Sequence, residues 1–145
     1  AQLLSVKANE SDSPPDKKLK LLTESGLKIQ QAVRVAPNSL DIVLPCSDTY
    51  ITISTTLSQP KKKTEEAIRQ GLICANRAVA QTAGLPRPLA QRGALLLLQA
   101  KEQIDPMRRR ALLRDAQESL GKALAANPFL QQQYGRYAQE AKRGQ

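Results

Sequence analysis

The feature that most constrains this chain is a set of matching residues that recur every 45 or 46 positions. Four columns of apolar residues share this interval, and each has one member in each of three copies. Within a copy the four positions are offset by 7, 10 and 11 residues, which brings them to one side of a helix with 3.6 residues per turn. The columns are Leu22, Ile68 and Leu113; Ile29, Ala75 and Leu120; Ala32, Ala78 and Ala123; Val33, Val79 and Leu124. Each copy is therefore predicted to contain one long amphipathic helix, here called helix B, with Leu22, Ile29, Ile68, Leu113 and Leu120 in the core.

The ends of the B helices also recur. Their starts are marked by prolines with a nearby capping residue, because proline is tolerated in the first turn, where its missing N–H would have no partner. These pairs are Pro15 with Ser13, Pro60 with Ser58, and Pro106 with Asp105. Helix stops are predicted at Ala36-Pro37-Asn38, Ala83-Gly84-Leu85 and Asn127-Pro128-Phe129.

A second segment, called A, lies between successive B helices. A column of small residues runs through it at intervals of 45 or 46, and three residues later a second column is mostly apolar. The small column is Ala1, Ser47, Gly93 and Ala138, and the second is Leu4, Tyr50, Leu96 and Ala141. Residues three apart share a helical face, so the small side chain is expected to let a paired helix approach closely.

The segment 39–57 also has the character of two short strands. It is rich in β-branched residues that alternate in polarity, and Pro45 would fall inside a helix. We nevertheless expect a helix here, because the neighbouring copies set the register and packing often overrides local propensity.

These residues resemble the tetratricopeptide repeat, with copies about a dozen residues longer than the usual 34. The tetratricopeptide repeat has, in order, a small residue, Ala, a large apolar residue, Ala and Pro. This order is matched by Gly93, Ala116, Leu120, Ala123 and Pro128. It is matched more loosely by Ser47, Gly71, Ala75, Ala78 and Ala83, and Pro37 closes the first copy. The resemblance implies an all-α fold: a right-handed solenoid of stacked antiparallel helical hairpins. A single domain over 1–145 is expected, with repeats at approximately 1–37, 38–84 and 85–128 and a terminal helix at 129–143. An unrelated array of helical hairpins is the alternative. Because Ala1 falls in mid-helix on this register, we expect a piece of a longer protein.

Composition argues against catalysis. The chain has no His, which excludes the usual general base, Ser-His and Cys-His pairs and common zinc sites. It also lacks a glycine-rich phosphate loop, so no catalytic residue, cofactor or metal is expected. Cys46 and Cys74 match neither metal nor redox spacing; buried free thiols are favoured, and a disulfide between them is the alternative. No apolar run reaches the 18 residues of a membrane span.

A protein-interaction or regulatory function is therefore expected, through the groove that A helices line in tetratricopeptide folds. By register the groove residues are Asp41, Leu44, Asp48, Ile51 and Thr52, then Arg87, Ala90, Ala94, Leu97 and Leu98, continued by Gln132, Gly135 and Gln139. Simple burial within the stack is the alternative for these positions. The lysine and asparagine pattern that clamps a peptide carboxylate in some family members is missing.

An alternative function is binding of an anionic partner, since the net charge is +9. Basic runs follow the repeated prolines and would form one edge of the solenoid: Lys17, Lys18 and Lys20; Lys61, Lys62 and Lys63; Arg108, Arg109, Arg110 and Arg114. An acidic protein, a lipid surface or nucleic acid would fit this edge, although the lack of nearby aromatics argues against nucleic acid. A solubilising edge is the plain alternative. The sequence does not indicate the compartment or the oligomeric state.

Overall fold

The computed structural model describes residues 15–55 and 61–144, and within these ranges the chain forms six α-helices and no strand. The prediction of an all-α fold is confirmed. The helices are α1 Pro15–Val35, α2 Leu40–Thr55, α3 Lys61–Thr82, α4 Pro86–Glu102, α5 Pro106–Ala126 and α6 Gln131–Arg143, with a 3₁₀ turn at Pro128–Leu130 before α6. Thus α1, α3 and α5 are the B helices, and α2, α4 and α6 are the A segments. Ala1, Leu4, Ser13, Ser58 and Pro60 lie outside the described residues.

The described helix ends lie where the turn residues predict them. Asp105 caps α5, because its carboxylate accepts a hydrogen bond from the Met107 backbone N–H at 3.2 Å, and Pro106 is the first helical residue. Helix α3 ends at Thr82 and is followed by Ala83 and Gly84, whose φ angles of 54° and 82° lie in the left-handed region. Such a residue stops a helix and lets the N–H of Gly84 bond to the carbonyl of Val79.

Helix α2 forms in place of the strands that its composition allows, so the expectation of a helix over 39–57 is confirmed for Leu40–Thr55. Its hydroxyl side chains donate to the carbonyl four residues earlier, as Ser47 does to Val43 and Thr52 to Asp48. These bonds satisfy polar groups inside a helix that is buried along much of its length. Pro45 remains inside the helix, where one backbone hydrogen bond is lost.

The chain divides into two compact units, 1–74 and 75–145, and the division falls within α3. In unit 1, α1 packs against α2, and a disulfide between Cys46 and Cys74 joins α2 to α3 with their Cα atoms 6.1 Å apart. One core connects the three helices, formed by Leu22, Ile29, Val33, Cys46, Tyr50, Ile53, Ala67 and Cys74.

Unit 2 is built around close packing of α4 on α5. A Cβ atom placed on Gly93 would lie only 2.5 Å from Cγ of Leu120, so no larger residue fits at this crossing. Helix α6 packs against both α4 and α5, and Lys101 of α4 forms an ion pair with Glu140 of α6. Arg92 ties three helices together, since its guanidinium donates to Asn76 at 2.9 Å and to Ser119 at 2.8 Å.

The burial of the repeat columns agrees with the periodicity. All five residues expected in the core are buried, with Leu22 and Leu120 fully inaccessible. In the small and apolar columns of the A segments, Ser47, Gly93, Tyr50, Leu96 and Ala141 are buried too, and Ala138 is half-buried. The faces of the helices were thus correctly predicted, while the right-handed stacking of hairpins stays a prediction.

The expectation of free thiols was wrong. Cys46 and Cys74 are both buried, as expected of small apolar side chains, but they form a disulfide. They lie 28 residues apart on different helices, and only the packing of α2 on α3 brings them together.

Candidate partner-binding cleft

A cleft of about 420 Å³ lies among the three helices of unit 1. Its floor is mainly apolar, and its walls carry amide, hydroxyl and charged groups. The lining residues are Thr23, Gly26, Leu27, Gln30 and Arg34 from α1, Tyr50 and Ile53 from α2, and Lys63, Glu66, Ala67 and Gln70 from α3. We call this site the unit 1 cleft.

The two long walls of the cleft, α1 and α3, run in the same direction. Tyr50 lies against Gly26 of α1 and faces the charge of Glu66 in α3. One helical turn further along both helices, Gln30 donates a hydrogen bond to Gln70 at 2.7 Å, across a sequence separation of 40. Residues of α1 therefore align with residues of α3 that are 40 positions later in the chain.

Helix α2 closes the bottom of the cleft because a glycine of α1 lets it approach. A Cβ atom on Gly26 would lie 3.2 Å from Cδ1 of Ile53 and 3.6 Å from the Tyr50 hydroxyl. Any larger side chain there would press on the floor of the cleft. The exposed face of Leu27, with 62% of its surface accessible, forms the apolar lip next to it.

Hydrogen bonds hold the polar wall in one arrangement. The amide of Gln30 donates to the Tyr50 hydroxyl at 3.0 Å as well as to Gln70, and the Tyr50 hydroxyl donates to the backbone carbonyl of Gly26 at 3.3 Å. Gln70 in turn donates to Glu66 at 3.0 Å. This chain links all three helices, and a connected network of this kind restricts side-chain rotation.

The two titratable groups of the wall are shifted in opposite directions. Burial raises the pKa of the Tyr50 hydroxyl; the hydrogen bond from Gln30 opposes this increase, and the negative charge of Glu66 adds to it. The pKa of Glu66 is lowered, first by the hydrogen bonds from Arg69 and then by that from Gln70. The Arg69 guanidinium holds both carboxylate oxygens of Glu66, with its shortest contact at 2.7 Å.

Two exposed cations, Lys63 and Arg34, stand on the rim of the cleft. Neither has a carboxylate partner among the ion pairs of residues 15–55 and 61–144. The charge of Glu66 is already compensated by Arg69, so the rim has a net positive potential.

The groove residues inferred from the repeat register lie outside the unit 1 cleft, and they differ in how exposed they are. On α2, Asp41 is exposed, Leu44, Asp48 and Thr52 are half-buried, and Ile51 is buried. On α4, Arg87 is exposed, whereas Ala90, Ala94, Leu97 and Leu98 are buried. On α6, Gln132 and Gln139 are exposed and Gly135 is buried. Burial of the α4 residues agrees with the alternative that they serve in packing, and binding at the open positions stays a prediction.

The basic runs lie at the beginnings of α1, α3 and α5, as the repeated prolines predict. Lys17, Lys20, Lys63, Arg108, Arg109, Arg110 and Arg114 are exposed. The side chains of Lys18, Lys61 and Lys62 lie outside the described part of the structure. Arg108 forms an ion pair of 3.6 Å with Asp105, and a common edge formed by the three runs stays a prediction.

The described ranges contain no group of three or more acidic or cysteine side chains arranged to hold a metal ion. Within the same ranges no helix combines the length and the apolar character needed to cross a bilayer.

No protein-family model matches the chain, and no curated protein or solved structure is significantly similar to it. The tetratricopeptide resemblance therefore rests on the sequence pattern, and the all-helical architecture is the part of it that the structure supports.

The cleft itself escaped sequence reasoning. The repeat register predicted that partners lie along the A helices. Eight of the nine lining positions on α1 and α3 are polar or small, and such positions are not distinguished by a helical pattern of apolar residues. One available signal was Tyr50, a phenol in a column otherwise made of aliphatic side chains. A buried phenol needs a hydrogen-bond partner, so its column predicts a polar group nearby.

Proposed function

We propose that this chain is a non-catalytic interaction module that binds a protein or peptide partner through the unit 1 cleft. The observation that carries the proposal is the cleft itself, with an apolar floor and polar walls held in place across three helices. Ligand sites in proteins are commonly concave, of about 300–1,000 Å³, and mostly apolar with a few fixed polar groups. The unit 1 cleft has these properties.

Preorganisation of the walls favours binding. Gln30, Tyr50 and Gln70 are already bonded to one another, and the disulfide joins α2 to α3 behind them. A site whose side chains are ordered in advance loses less conformational entropy when a partner arrives.

The titratable groups of the cleft favour a binding role over catalysis. A general acid or base works best when its pKa lies near the operating pH. The pKa of Tyr50 is raised and that of Glu66 is lowered, so both move away from neutrality. The chain has no His to take either role.

A random peptide library displayed on phage would test this function. Enriched peptides are synthesised, and their affinities are measured by fluorescence anisotropy. Leu27→Glu adds a charge to the apolar lip at an exposed position, and we expect it to weaken binding about tenfold or more. Ile104→Glu, at a site with 83% of its surface accessible, is the matched control and should bind like the original chain.

A third variant, Asp41→Lys, tests the groove predicted on α2. If Asp41→Lys abolishes binding while Leu27→Glu leaves it intact, the partner surface is the α2 groove and the cleft proposal is wrong. If no peptide is enriched in repeated selections, peptide binding itself is contradicted.

Binding of an anionic partner through the basic runs is a second candidate function. It is favoured by Arg109, Arg110 and Arg114, which are exposed and have no carboxylate within ion-pair distance among the described residues. A salt titration against a random-sequence oligonucleotide separates the two: phosphate binding would weaken steeply as salt increases. No affinity at low salt would exclude nucleic acid.

A further inference from the structure

We propose that the occupant of the unit 1 cleft is a peptide segment with an apolar centre and an acidic residue on each side of it. This inference rests on the proposed function and specifies the partner. It follows from three properties of the cleft: the apolar floor, the two unpaired rim cations and the distance between them.

The apolar part of the lining, the floor together with the Leu27 lip, selects for apolar side chains. Leu27, Ile53 and Ala67 present aliphatic surface to the cleft. Transfer of apolar surface from water into such a site is favourable. A volume of about 420 Å³ has room for several side chains, so a short run of apolar residues in the partner fits it.

The rim selects for negative charge. Glu66 is the one carboxylate that lines the described part of the cleft, and Arg69 and Gln70 already hold it. Within residues 15–55 and 61–144, Lys63 and Arg34 have no such partner, so an incoming carboxylate gains attraction without displacing an existing ion pair.

The spacing of the two cations distinguishes a peptide from a small amphiphile. By the alignment that Gln30 and Gln70 define, Lys63 lies beside Thr23, and Arg34 follows eleven residues later on α1. Eleven residues of helix correspond to ~16 Å along the axis. A peptide reaches both ends with two acidic residues, about eleven positions apart in a helix or about five in an extended strand. A fatty acid has a single carboxylate and satisfies only one end.

The test uses nine fluorescein-labelled peptides with a common centre of Leu and Ala and with each flank made of Glu, Gln or Lys. Fluorescence anisotropy with the full chain should give the tightest binding for the peptide with Glu on both flanks. We expect it to bind about tenfold tighter than the peptide with Gln on both flanks, and the difference should shrink at high salt.

Charge reversal at one end of the cleft should change the preference at one flank only. Arg34→Glu should favour Lys at one flank and Lys63→Glu should favour Lys at the other. Both residues are exposed, so the fold should survive, which a circular dichroism spectrum checks. Arg109→Glu makes the same charge reversal at an exposed position of α5 and is the matched control.

Several results would overturn the inference. These are equal binding of all flanks, a preference for Lys, or an acidic preference that Arg109→Glu reduces as much as Arg34→Glu does. If peptides from the display experiment bind in a way that depends on Leu27 but show no acidic preference, the inference fails and the proposed function stands. If dodecanoate binds at the cleft and no peptide does, both are wrong, because the occupant is then an anionic amphiphile.

Discussion

The two units of the chain fill the same sequence columns with different residues. In the small column, unit 1 has Ser47 and unit 2 has Gly93; three residues later, unit 1 has Tyr50 and unit 2 has Leu96. All four are buried.

In unit 2 the glycine brings α4 directly onto Leu120 of α5. In unit 1 the tyrosine requires hydrogen bonds, and its hydroxyl is bonded to Gln30 and to the carbonyl of Gly26 beside an open cleft. Equivalent positions in a repeat therefore share burial, but one phenol in place of an aliphatic chain changes what the packing leaves open.

The units also differ in what joins their helices. Unit 1 has a covalent link between α2 and α3, the disulfide of Cys46 and Cys74. In unit 2, Arg92 bridges three helices by hydrogen bonds to Asn76 and Ser119. The unit with the cleft is thus the one held by a covalent bond.

The largest expected effect compares one column in the two units. Leu120→Ala should lower the free energy of unfolding by roughly 2–5 kcal/mol, and we expect the upper end because Leu120 is fully buried and packs closely against Gly93. Ile29→Ala changes the same column in unit 1. Its loss of unfolding free energy should be smaller, within the same range, because the neighbouring cleft leaves room for relaxation. Urea denaturation followed by circular dichroism measures both. A smaller loss for Leu120→Ala than for Ile29→Ala would contradict the tighter packing of unit 2.

Removal of the disulfide should affect unit 1 selectively. Closing a loop between cysteines 28 residues apart stabilises a fold by about 3.5 kcal/mol through the entropy of the unfolded chain. In the double variant Cys46→Ala with Cys74→Ala, hydrogen exchange measured by mass spectrometry should show loss of amide protection in α1 and α2, with α5 and α6 less affected. An equal loss of amide protection in both units would contradict the distinction between them. As a control, a reducing agent should not change the amide protection of the double variant.

Removal of the Tyr50 hydroxyl should have a smaller effect. Tyr50→Phe breaks the bonds to Gln30 and to the carbonyl of Gly26, and we expect a loss of about 1 kcal/mol in urea denaturation. Tyr137→Phe, at a half-buried position of α6, is the control. If both variants are equally stable, the hydrogen-bonded wall contributes nothing to unit 1.

The smallest effect is a dependence of stability on alkaline pH. Because burial raises the pKa of Tyr50 in the folded chain, the stabilisation from its neutral hydroxyl is complete below the unfolded value of 10.0 and is lost as the pH rises through the folded value. As the pH is raised above neutrality, the melting temperature should therefore fall more steeply for the original chain than for Tyr50→Phe. Parallel curves would show that Tyr50 does not contribute, with Tyr137→Phe again as the control.

Much of the fold was predictable from local signals. The four apolar columns identified the buried faces, and turn residues such as Asp105 and Gly84 identified where helices begin or end. Both depend on residues a few positions apart, whose relation in a helix is known in advance. The cleft was not predictable in this way, because Gln30, Tyr50 and Gln70 belong to three helices and meet only when these pack.

The sequence by itself determined that this chain forms helices, which face of each is buried and which ends carry the basic runs. The physical reason is that helical periodicity converts spacing along the chain into direction around an axis. Only the tertiary structure decided that Cys46 bonds to Cys74, that α1 aligns with α3 at an offset of 40 residues, and that Lys63 and Arg34 line the same cleft. Distances between helices depend on how deeply side chains interlock at each crossing, and a residue as small as Gly26 or as polar as Tyr50 changes that depth.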